Sequence, residues 1–334
     1  MLSSKNFSLV VPFPGQIRGK LATSLTTITN YYIVIWFMRY KYRRYFLYYL
    51  GRAFAFLIYL LPLRAGVRIA AFLGKCAYFV LEKYRKIAIE NLTKVFGKEK
   101  AAKEIRRIAR KVFENLGKTA CEAINFPKLN EKNIDSFVKI EGIDNVDRSF
   151  ARGKGTIILA SHFGNWELVG LIFRIKGYPG VTIGRRIYFY KYDNYLNSLR
   201  RSHDVNVIYR DESPRKMLKV LKENKILGIV ADQDVDSVDG VFVNFFGFPA
   251  HTPAGPVALA KASGASIVPV FMIRKNGHHV FKIEKPIELV DTGNKEADLI
   301  INTQKWSDVV ESYIRLYPEQ WVWIHRRWKT REAN

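Results

Sequence analysis

The sequence has few of the side chains that build disulfide frameworks and zinc sites. Its 334 residues include 2 cysteines, Cys76 and Cys121, which stand far apart and show none of the short spacings of metal or redox motifs. This excludes a disulfide framework and a cysteine-based metal site, and we expect no bound metal. A reducing compartment is the default expectation.

A phosphate-binding glycine loop is also missing from the sequence. The run Gly117-Lys118-Thr119 resembles the end of such a loop, but Val112 stands where the motif requires its first glycine. This absence weakens any assignment to nucleotide-dependent phosphoryl transfer. No internal repeat or low-complexity stretch is present either.

Acidic residues are scarce relative to basic ones. The chain has 30 Asp and Glu against 54 Lys and Arg, a net charge of +24, while hydrophobic residues make up 48% and aromatic residues 14%. A nucleic-acid-binding protein can be this basic, but it seldom carries so many aromatic side chains beside its arginines. An anionic membrane surface accounts for the charge and the aromatics together. We therefore expect contact with an anionic membrane surface and not with nucleic acid.

The N terminus lacks the pattern of a cleavable signal peptide. Residues 1–30 are rich in Ser and Thr and predict a flexible leader, and residues 31–64 predict a hydrophobic membrane-anchoring segment. Its run 45–63 is apolar except for Gly51 and Arg52. That run is long enough to cross a bilayer, where a central arginine costs about 2.5–3.5 kcal/mol. A spanning helix, an interfacial helix with a snorkelling arginine and a buried core helix all remain open.

The remainder, residues 65–334, predicts one large domain whose two parts differ in secondary-structure pattern. Residues 65–130 are helical in pattern, and the helix around 105–116 has one apolar face and one strongly basic face. The basic face is either simply solvated or a contact for acidic lipid head groups or an acidic carrier protein. In residues 131–334 short strands alternate with helices, which predicts an α/β fold with a mostly parallel central sheet flanked by helices. The predicted strands are 138–140, 156–160, 181–184, 205–209, 226–231, 266–273 and 280–284.

The stretch from Ser161 to Glu167 lies where an apolar strand ends and a helix begins. In open α/β sheets this edge binds ligands, and the helix N terminus offers free N–H groups. His162 and Glu167 are close enough in sequence for the carboxylate to reach back to the imidazole. The pair predicts a general base and its orienting partner, with an acceptor alcohol attacking a thioester directly. The alternative is a histidine that only caps the helix.

Polar residues also follow two other predicted strands. Arg185 closes one strand, and Asp232 and Asp234 close another. Paired aspartates at a strand end often hold Mg²⁺ with phosphates, so a magnesium-dependent phosphotransferase is the rival hypothesis. The following stretch, 245–256, is apolar and proline-rich and is interpreted as a stiff loop lining an acyl slot, or else as a surface turn.

The C-terminal segment alternates aromatic and aliphatic residues and then becomes basic. His325, Arg326 and Arg327 lie in this segment and are interpreted as a clamp for a phosphate or carboxylate head group.

Together, four blocks of the sequence resemble the lipid A late acyltransferases (lauroyl and myristoyl acyltransferases) of the lysophospholipid acyltransferase-like superfamily. The similarity runs from about Leu50 to Arg331. The blocks are His162-Phe163-Gly164-Asn165-Trp166-Glu167, Ala231-Asp232-Gln233-Asp234, Phe245-Phe246-Gly247 continuing to Gly255, and Trp323 to Lys329.

The resemblance implies a glycerolipid acyltransferase-like fold and transfer of a fatty acyl chain to a hydroxyl of a membrane glycolipid, a lipid A precursor. The donor is acyl carrier protein, or alternatively acyl-CoA, no further cofactor is implied, and the location is the cytoplasmic face of the inner membrane. His162 is implied as the base and Glu167 as its partner. The implied substrate-binding residues are Arg185, Asp232, Asp234, Thr252, His325, Arg326 and Arg327.

Two departures bear on the acceptor. Glu167 stands where the phospholipid branch has aspartate, which favours a glycolipid acceptor, while an aromatic run follows Arg185 and Arg186 in place of a polar loop. Another glycolipid or a lysophospholipid is therefore an alternative acceptor. A non-catalytic lipid-binding or membrane-tethering protein is the remaining hypothesis outside enzymes.

Overall fold

The computed structural model describes residues 42–332 apart from residues 236 and 276. The predicted leader, 1–30, and the first part of the predicted anchor lie outside the described residues. The chain divides between Ala53 and Phe54 into two units. Of the first unit, residues 42–53 are described; they are helical and largely exposed. They open helix α1, which covers residues 42–60. Among the helices that the structure describes, none combines the length and apolar character needed to cross a bilayer.

The second unit begins with a layer of helices. Helices α2 (Leu63–Val80), α3 (Glu82–Phe96) and α4 (Ala102–Ile124) follow α1. As its periodicity predicts, α4 buries its apolar face and exposes its basic one. Glycines allow α2 and α4 to touch: a Cβ atom on Gly74 would lie 2.3 Å from the carbonyl oxygen of Phe113. The two helices are therefore packed backbone to backbone.

The α/β core contains a seven-stranded sheet in the order β1-β9-β8-β2-β5-β3-β4. All its pairings are parallel except that between β8 and β9. The strands are β1 (Val138–Glu141), β2 (Thr156–Gly164), β3 (Gly180–Gly184), β4 (Asn206–Tyr209), β5 (Ile226–Val230), β8 (Ser266–Lys275) and β9 (His278–Ile283). The predicted α/β architecture with a mostly parallel sheet is confirmed.

Helices cover both faces of this sheet. They are α5 (Ile134–Phe137), α6 (Ile143–Ala151), α7 (Glu167–Ile175), α8 (Tyr190–Arg201), α9 (Pro214–Lys222), α10 (Gly255–Ser263) and α11 (Lys295–Leu316). Because both faces are covered, the central strand β2 is apolar and buried along almost its whole length. Alternate β2 residues enter two separate cores: Ile157 and Leu159 in one, Ile158 and Ala160 in the other.

The stretch 245–256 is not the loop that its prolines suggested. Strands β6 (Gly240–Phe245) and β7 (Phe248–Pro253) form an antiparallel hairpin of their own. Phe246 and Gly247 both have positive φ, at 56° and 80°, as a two-residue type I′ turn requires. Prolines are tolerated in β7 because a two-stranded sheet leaves one edge of each strand unpaired. Of the stretch 245–256, only Pro253 borders the cavity described below.

Candidate active site

His162 lies near the carboxyl end of β2, where the register with β8 shifts between Ala160 and Gly164. Its ring Nδ1 is 2.7 Å from Asp232 Oδ1, and its main-chain N–H donates to Asp232 Oδ2 at 2.8 Å. Since a carboxylate only accepts, Nδ1 carries the proton and Nε2 is left with its lone pair. The main-chain carbonyl of His162 accepts from the N–H of Val322 at 3.1 Å. Both the ring and the backbone of this histidine are therefore held.

Asp232 is the carboxylate that orients His162. It follows β5, the neighbour of β2, and its side chain is only 1% exposed. The indole Nε1 of Trp321 donates to Oδ2 at 2.7 Å. Burial raises the pKa of Asp232, but the charge and hydrogen bonds of His162, with the hydrogen bond from Trp321, outweigh burial and leave the pKa below its usual value. The carboxylate therefore stays ionised and stabilises a protonated imidazole.

Glu167 hydrogen-bonds to Arg200 and not to His162. It begins helix α7, and its two carboxylate oxygens accept from the guanidinium of Arg200 on α8, at 2.8 and 2.9 Å. The prediction that Glu167 is the hydrogen-bonding partner of His162 is therefore wrong. As the first residue of α7, Glu167 lies within reach of Arg200 on α8, whereas the end of the neighbouring strand β5 brings Asp232 to the imidazole. Glu167 and Arg200 both line the same cavity as His162.

That cavity, of about 520 Å³, lies between the sheet and α7. His162, with 24% of its side chain exposed, stands at the carboxyl end of the strands. From there the cavity follows β3 from Gly184 back to Gly180, a depth of about 13 Å at 3.3 Å per residue. Its inner wall is mostly apolar and includes Phe126, Ile158, Val169, Phe173, Val181, Ile183, Val205 and Ile226. The cavity is polar at the His162 end and mostly apolar in its depth, where the polar exceptions include Arg174 and Tyr178.

Cationic side chains surround the polar end. Arg185, Arg210 and Lys329 line the cavity beside the Arg200 and Glu167 pair. Burial, and then the neighbouring Arg185, lower the pKa of Arg210, whose Nη2 donates to Ser237 Oγ at 3.0 Å. Such a cluster suits an anionic group of a substrate. Arg210 was missed from sequence, although it follows β4 directly, just as Arg185 follows β3.

A buried polar network holds the turn after His162. Glu122 on α4 accepts from Asn165 Nδ2 at 2.7 Å and lies 3.2 Å from His279 Nε2, and it also pairs with Arg274. Burial raises the pKa of Glu122, but His279 and Arg274 outweigh burial and lower the pKa to about 2. Nothing in the sequence pattern of α4 marked this residue for a role at the turn, because it is one of three glutamates on a basic helix and none of them has a distinctive spacing.

Gly164 is required in the same turn. Its φ is +57°, and an added Cβ atom would lie 1.6 Å from the carbonyl oxygen of Met272. Its own carbonyl accepts from Thr119 Oγ1 at 3.1 Å. The turn is therefore fixed from both β8 and α4.

Asp234 lines the cavity but its carboxylate stabilises the C-terminal segment. Its oxygens accept from the main-chain N–H groups of Lys329 and Thr330, at 3.1 and 2.8 Å, and from Thr330 Oγ1 at 2.7 Å. Each oxygen of Asp232 and Asp234 thus already has a protein donor. This disfavours the rival hypothesis that the two carboxylates are magnesium ligands.

The residues of the predicted head-group clamp do not lie together: His325 borders the cavity, and Arg327 is buried in the core. His325 lines the cavity, and its Nε2 lies 2.9 Å from the carbonyl oxygen of Asp234. Arg327 is buried and donates to the carbonyl oxygen of His251 at 2.6 Å and to Thr252 Oγ1 at 2.5 Å. Arg327, predicted as part of the clamp, and Thr252, predicted as a separate substrate-binding residue, thus tie the C-terminal segment to the hairpin of β6 and β7. Arg326 is exposed and does not border the cavity.

Comparison with known proteins gives the family. The family model described as bacterial lipid A biosynthesis acyltransferase matches residues 37–330. The chain is 28% identical over 294 residues to the lipid A biosynthesis lauroyltransferase of Escherichia coli (strain K12), covering 86% of this chain and 93% of that protein.

Two further relatives are more distant. The lipid A biosynthesis palmitoleoyltransferase of Escherichia coli (strain K12) is 25% identical, with 87% of this chain and 94% of that protein covered. The phosphatidylinositol mannoside acyltransferase of Mycobacterium tuberculosis (strain CDC 1551 / Oshkosh) is 24% identical, with 65% and 68% covered. With the matched region spanning the helical layer, the sheet and the cavity at His162, the chain belongs to the bacterial lipid A biosynthesis acyltransferase family and is an acyltransferase.

Proposed function

We propose that this acyltransferase moves a fatty acyl chain from acyl carrier protein to a hydroxyl of a glycolipid, a lipid A precursor. The observation that carries the proposal is the position of the His162 and Asp232 pair at the polar end of a cavity with an apolar depth. A thioester placed there has its reacting carbonyl beside a base and its alkyl chain in the apolar part. The names of the lauroyltransferase and palmitoleoyltransferase relatives support a lipid A precursor as acceptor.

In the proposed mechanism, His162 Nε2 takes the proton of the acceptor hydroxyl as that oxygen attacks the thioester carbonyl. The new C–O bond forms, the C–S bond breaks, and the imidazolium returns its proton to the leaving thiolate. Asp232 stabilises the imidazolium between these two events. Arg185, which lines the cavity at this end, is the candidate for stabilising the tetrahedral oxyanion. No covalent acyl-enzyme is needed.

The polar end of the cavity also suits the donor. Acyl carrier protein and coenzyme A both present the thioester on a phosphopantetheine arm, and Arg210 and Lys329 are cations positioned for its phosphate. We favour the carrier protein because it is strongly acidic and this chain carries a net charge of +24. Acyl-CoA is the alternative donor, and the assay below separates the two.

We further propose that the protein works at the cytoplasmic face of the inner membrane. Helix α2 carries three cations, Arg64, Arg68 and Lys75, and no acidic residue. Its exposed apolar side chains include Phe72 and Leu73. Cationic and apolar side chains on one helix suit an anionic lipid surface. The membrane-anchoring role predicted for residues 31–64 remains a prediction.

The proposal is tested by acyl transfer with purified protein and defined substrates. Acyl carrier protein and coenzyme A thioesters of the same chain are each offered with a lipid A precursor, another glycolipid and a lysophospholipid, and products are identified by mass spectrometry. We expect transfer to the lipid A precursor, faster from the carrier thioester and slowed by salt. Transfer only to the other acceptors, or only from acyl-CoA, would contradict the corresponding part. Full activity of His162→Ala would contradict the mechanism.

A further inference from the structure

A second cavity lies among α2, α3, α4 and the part of α1 that follows Ala53. It has a volume of about 420 Å³, and we call it the helical groove. Its lining is formed by aliphatic and aromatic side chains, glycines and the thiol-bearing Cys121; within the described part of the chain, no charged side chain lines it. Leu73, Leu81 and Tyr84 line the groove and are exposed, so it opens at the surface.

The helical groove and the active-site cavity share a wall. Ile324 lines the groove, and His325, the next residue, lines the cavity of His162. Consecutive Cα atoms are about 3.8 Å apart. Asn91 Nδ2 donates to the carbonyl oxygens of Trp323 and His325, at 2.8 and 2.7 Å, on either side of Ile324. These hydrogen bonds therefore hold the segment so that Ile324 faces the groove and His325 faces the active-site cavity.

The lining of the groove and the surface beside it identify the chemistry of an occupant. The groove is apolar, and α2, which forms one wall, exposes apolar side chains such as Ile69 and Leu73 along that wall, whereas its three cations lie on the opposite face of the helix. An alkyl chain that enters the groove from a lipid surface matches both the lining and this exposed apolar edge.

We propose that the helical groove binds a resident acyl chain of the anionic glycolipid acceptor while the acceptor's hydroxyl reaches His162 across the Ile324–His325 wall. The inference rests on the proposed function, because it assigns a second lipid site to the acceptor of that reaction. The donor chain occupies the cavity beneath α7, so the two chains enter from different sides of the C-terminal segment. The groove then sets how the acceptor is positioned and which acceptors are used.

Ala120 allows the groove to be filled without disturbing the core. It lines the groove on α4 and is exposed, so a phenylalanine there projects into the groove and not into packed side chains. Ala102 is a matched control: it is also an exposed alanine on α4, but it does not line the groove. Ala120→Phe and Ala102→Phe therefore add the same ring to the same helix.

The kinetic test compares a multiply acylated lipid A precursor with a short-chain analogue of the same sugar. We expect Ala120→Phe to lower kcat/KM for the multiply acylated acceptor at least about tenfold more than for the short-chain analogue, because small misplacements of a reacting group cost up to about 10²-fold. Ala102→Phe should affect both acceptors equally, and both variants should keep the wild-type KM for the donor. Equal losses on both acceptors with Ala120→Phe would overturn the assignment.

A binding test separates this inference from the proposed function. Vesicles of phosphatidylcholine contain a lipid A precursor with a diazirine in one acyl chain, and cross-linked peptides are mapped by mass spectrometry without any acyl donor. We expect labelling of groove residues on α2 and α4 in wild type and Ala102→Phe, and its loss in Ala120→Phe. If wild type is labelled there yet transfers no acyl chain, the reaction assignment fails and the groove assignment stands. Labelling elsewhere, or equal labelling by a diazirine-tailed phosphatidylglycerol, would overturn the groove as an acceptor site.

Discussion

The sharpest consequence of the structure is that Asp232, and not Glu167, sets the tautomer of His162. Asp232 Oδ2 accepts from the His162 main-chain N–H and from Trp321 Nε1, two donors that never reverse. In Asp232→Asn the amide oxygen must occupy this position, which turns the amide NH₂ toward His162 Nδ1. The imidazole proton then moves to Nε2, where it blocks the lone pair needed to take the proton of the acceptor.

The expected magnitude follows from this wrong tautomer. A histidine base whose carboxylate is replaced by an amide loses on the order of 10⁴ in kcat. We therefore expect Asp232→Asn to lower kcat by about 10³ to 10⁴, with a small change in KM. The loss of a charged partner in a buried hydrogen bond also costs about 1.5–3 kcal/mol of unfolding free energy. The His162→Ala and Asp232→Asn double mutant should be no slower than the poorer single mutant, because a base and its orienter act as one unit.

The assay is steady-state acyl transfer with wild type, Asp232→Asn and the matched control Glu167→Gln, each with a melting curve. Glu167→Gln removes the ion pair with Arg200 and leaves the contact of His162 with Asp232 in place. We expect its loss to be much smaller and to add to the effect of His162→Ala. Nitrogen-15 NMR of the imidazole gives the tautomer directly. Near-normal turnover in Asp232→Asn, with a 10³-fold loss in Glu167→Gln, would refute the assignment of Asp232.

Three further predictions concern the turn and the cavity. Glu122→Gln should lower the melting temperature at neutral pH, and its difference from wild type should shrink as the pH falls from 4.5 to about 2. The reason is that a carboxyl group with a lowered pKa stabilises the folded state at pH values above its ordinary pKa and loses this effect when it is protonated in acid. A difference in melting temperature that stays constant with pH would contradict the lowered pKa. Gly164→Ala should unfold more easily than Gly153→Ala by at least about 1–3 kcal/mol, because only at Gly164 would the added Cβ atom meet a backbone oxygen; equal melting curves would argue against this. Gly228→Leu should shift the preferred donor to shorter acyl chains, because Gly228 lines the cavity and an added Cβ atom makes only ordinary contacts there, with Thr182 and the carbonyl oxygen of Val181 at 3.4–3.7 Å. An unchanged rate profile across donors of graded chain length would show that the acyl chain does not occupy this cavity.

The strands and helices of the α/β core were predictable because their signals are local. The run 156–160 is apolar and β-branched, and β2 begins at the predicted residue. Helices at 214–223 and 297–316 were predicted from helical periodicity, and α9 and α11 lie within about two residues of these bounds. The hairpin of β6 and β7 was not predicted, because the prolines in 245–256 led us to interpret this stretch as a loop. Of the anchor predicted for residues 31–64, residues 31–41 lie outside the described residues.

The sequence allowed us to predict which residues of the candidate site lie at strand ends, but not which side chains contact one another. Parallel strands end at one edge of a sheet, so the sequence alone determined that His162, Arg185 and Asp232 converge there. Only the tertiary structure decided that Asp232 meets the imidazole while Glu167 turns to Arg200. The physical reason is that side-chain partners depend on ångström-scale separations between elements distant in the chain, and these separations are set by the packing of strands and helices, whereas burial and periodicity are recorded in each local segment.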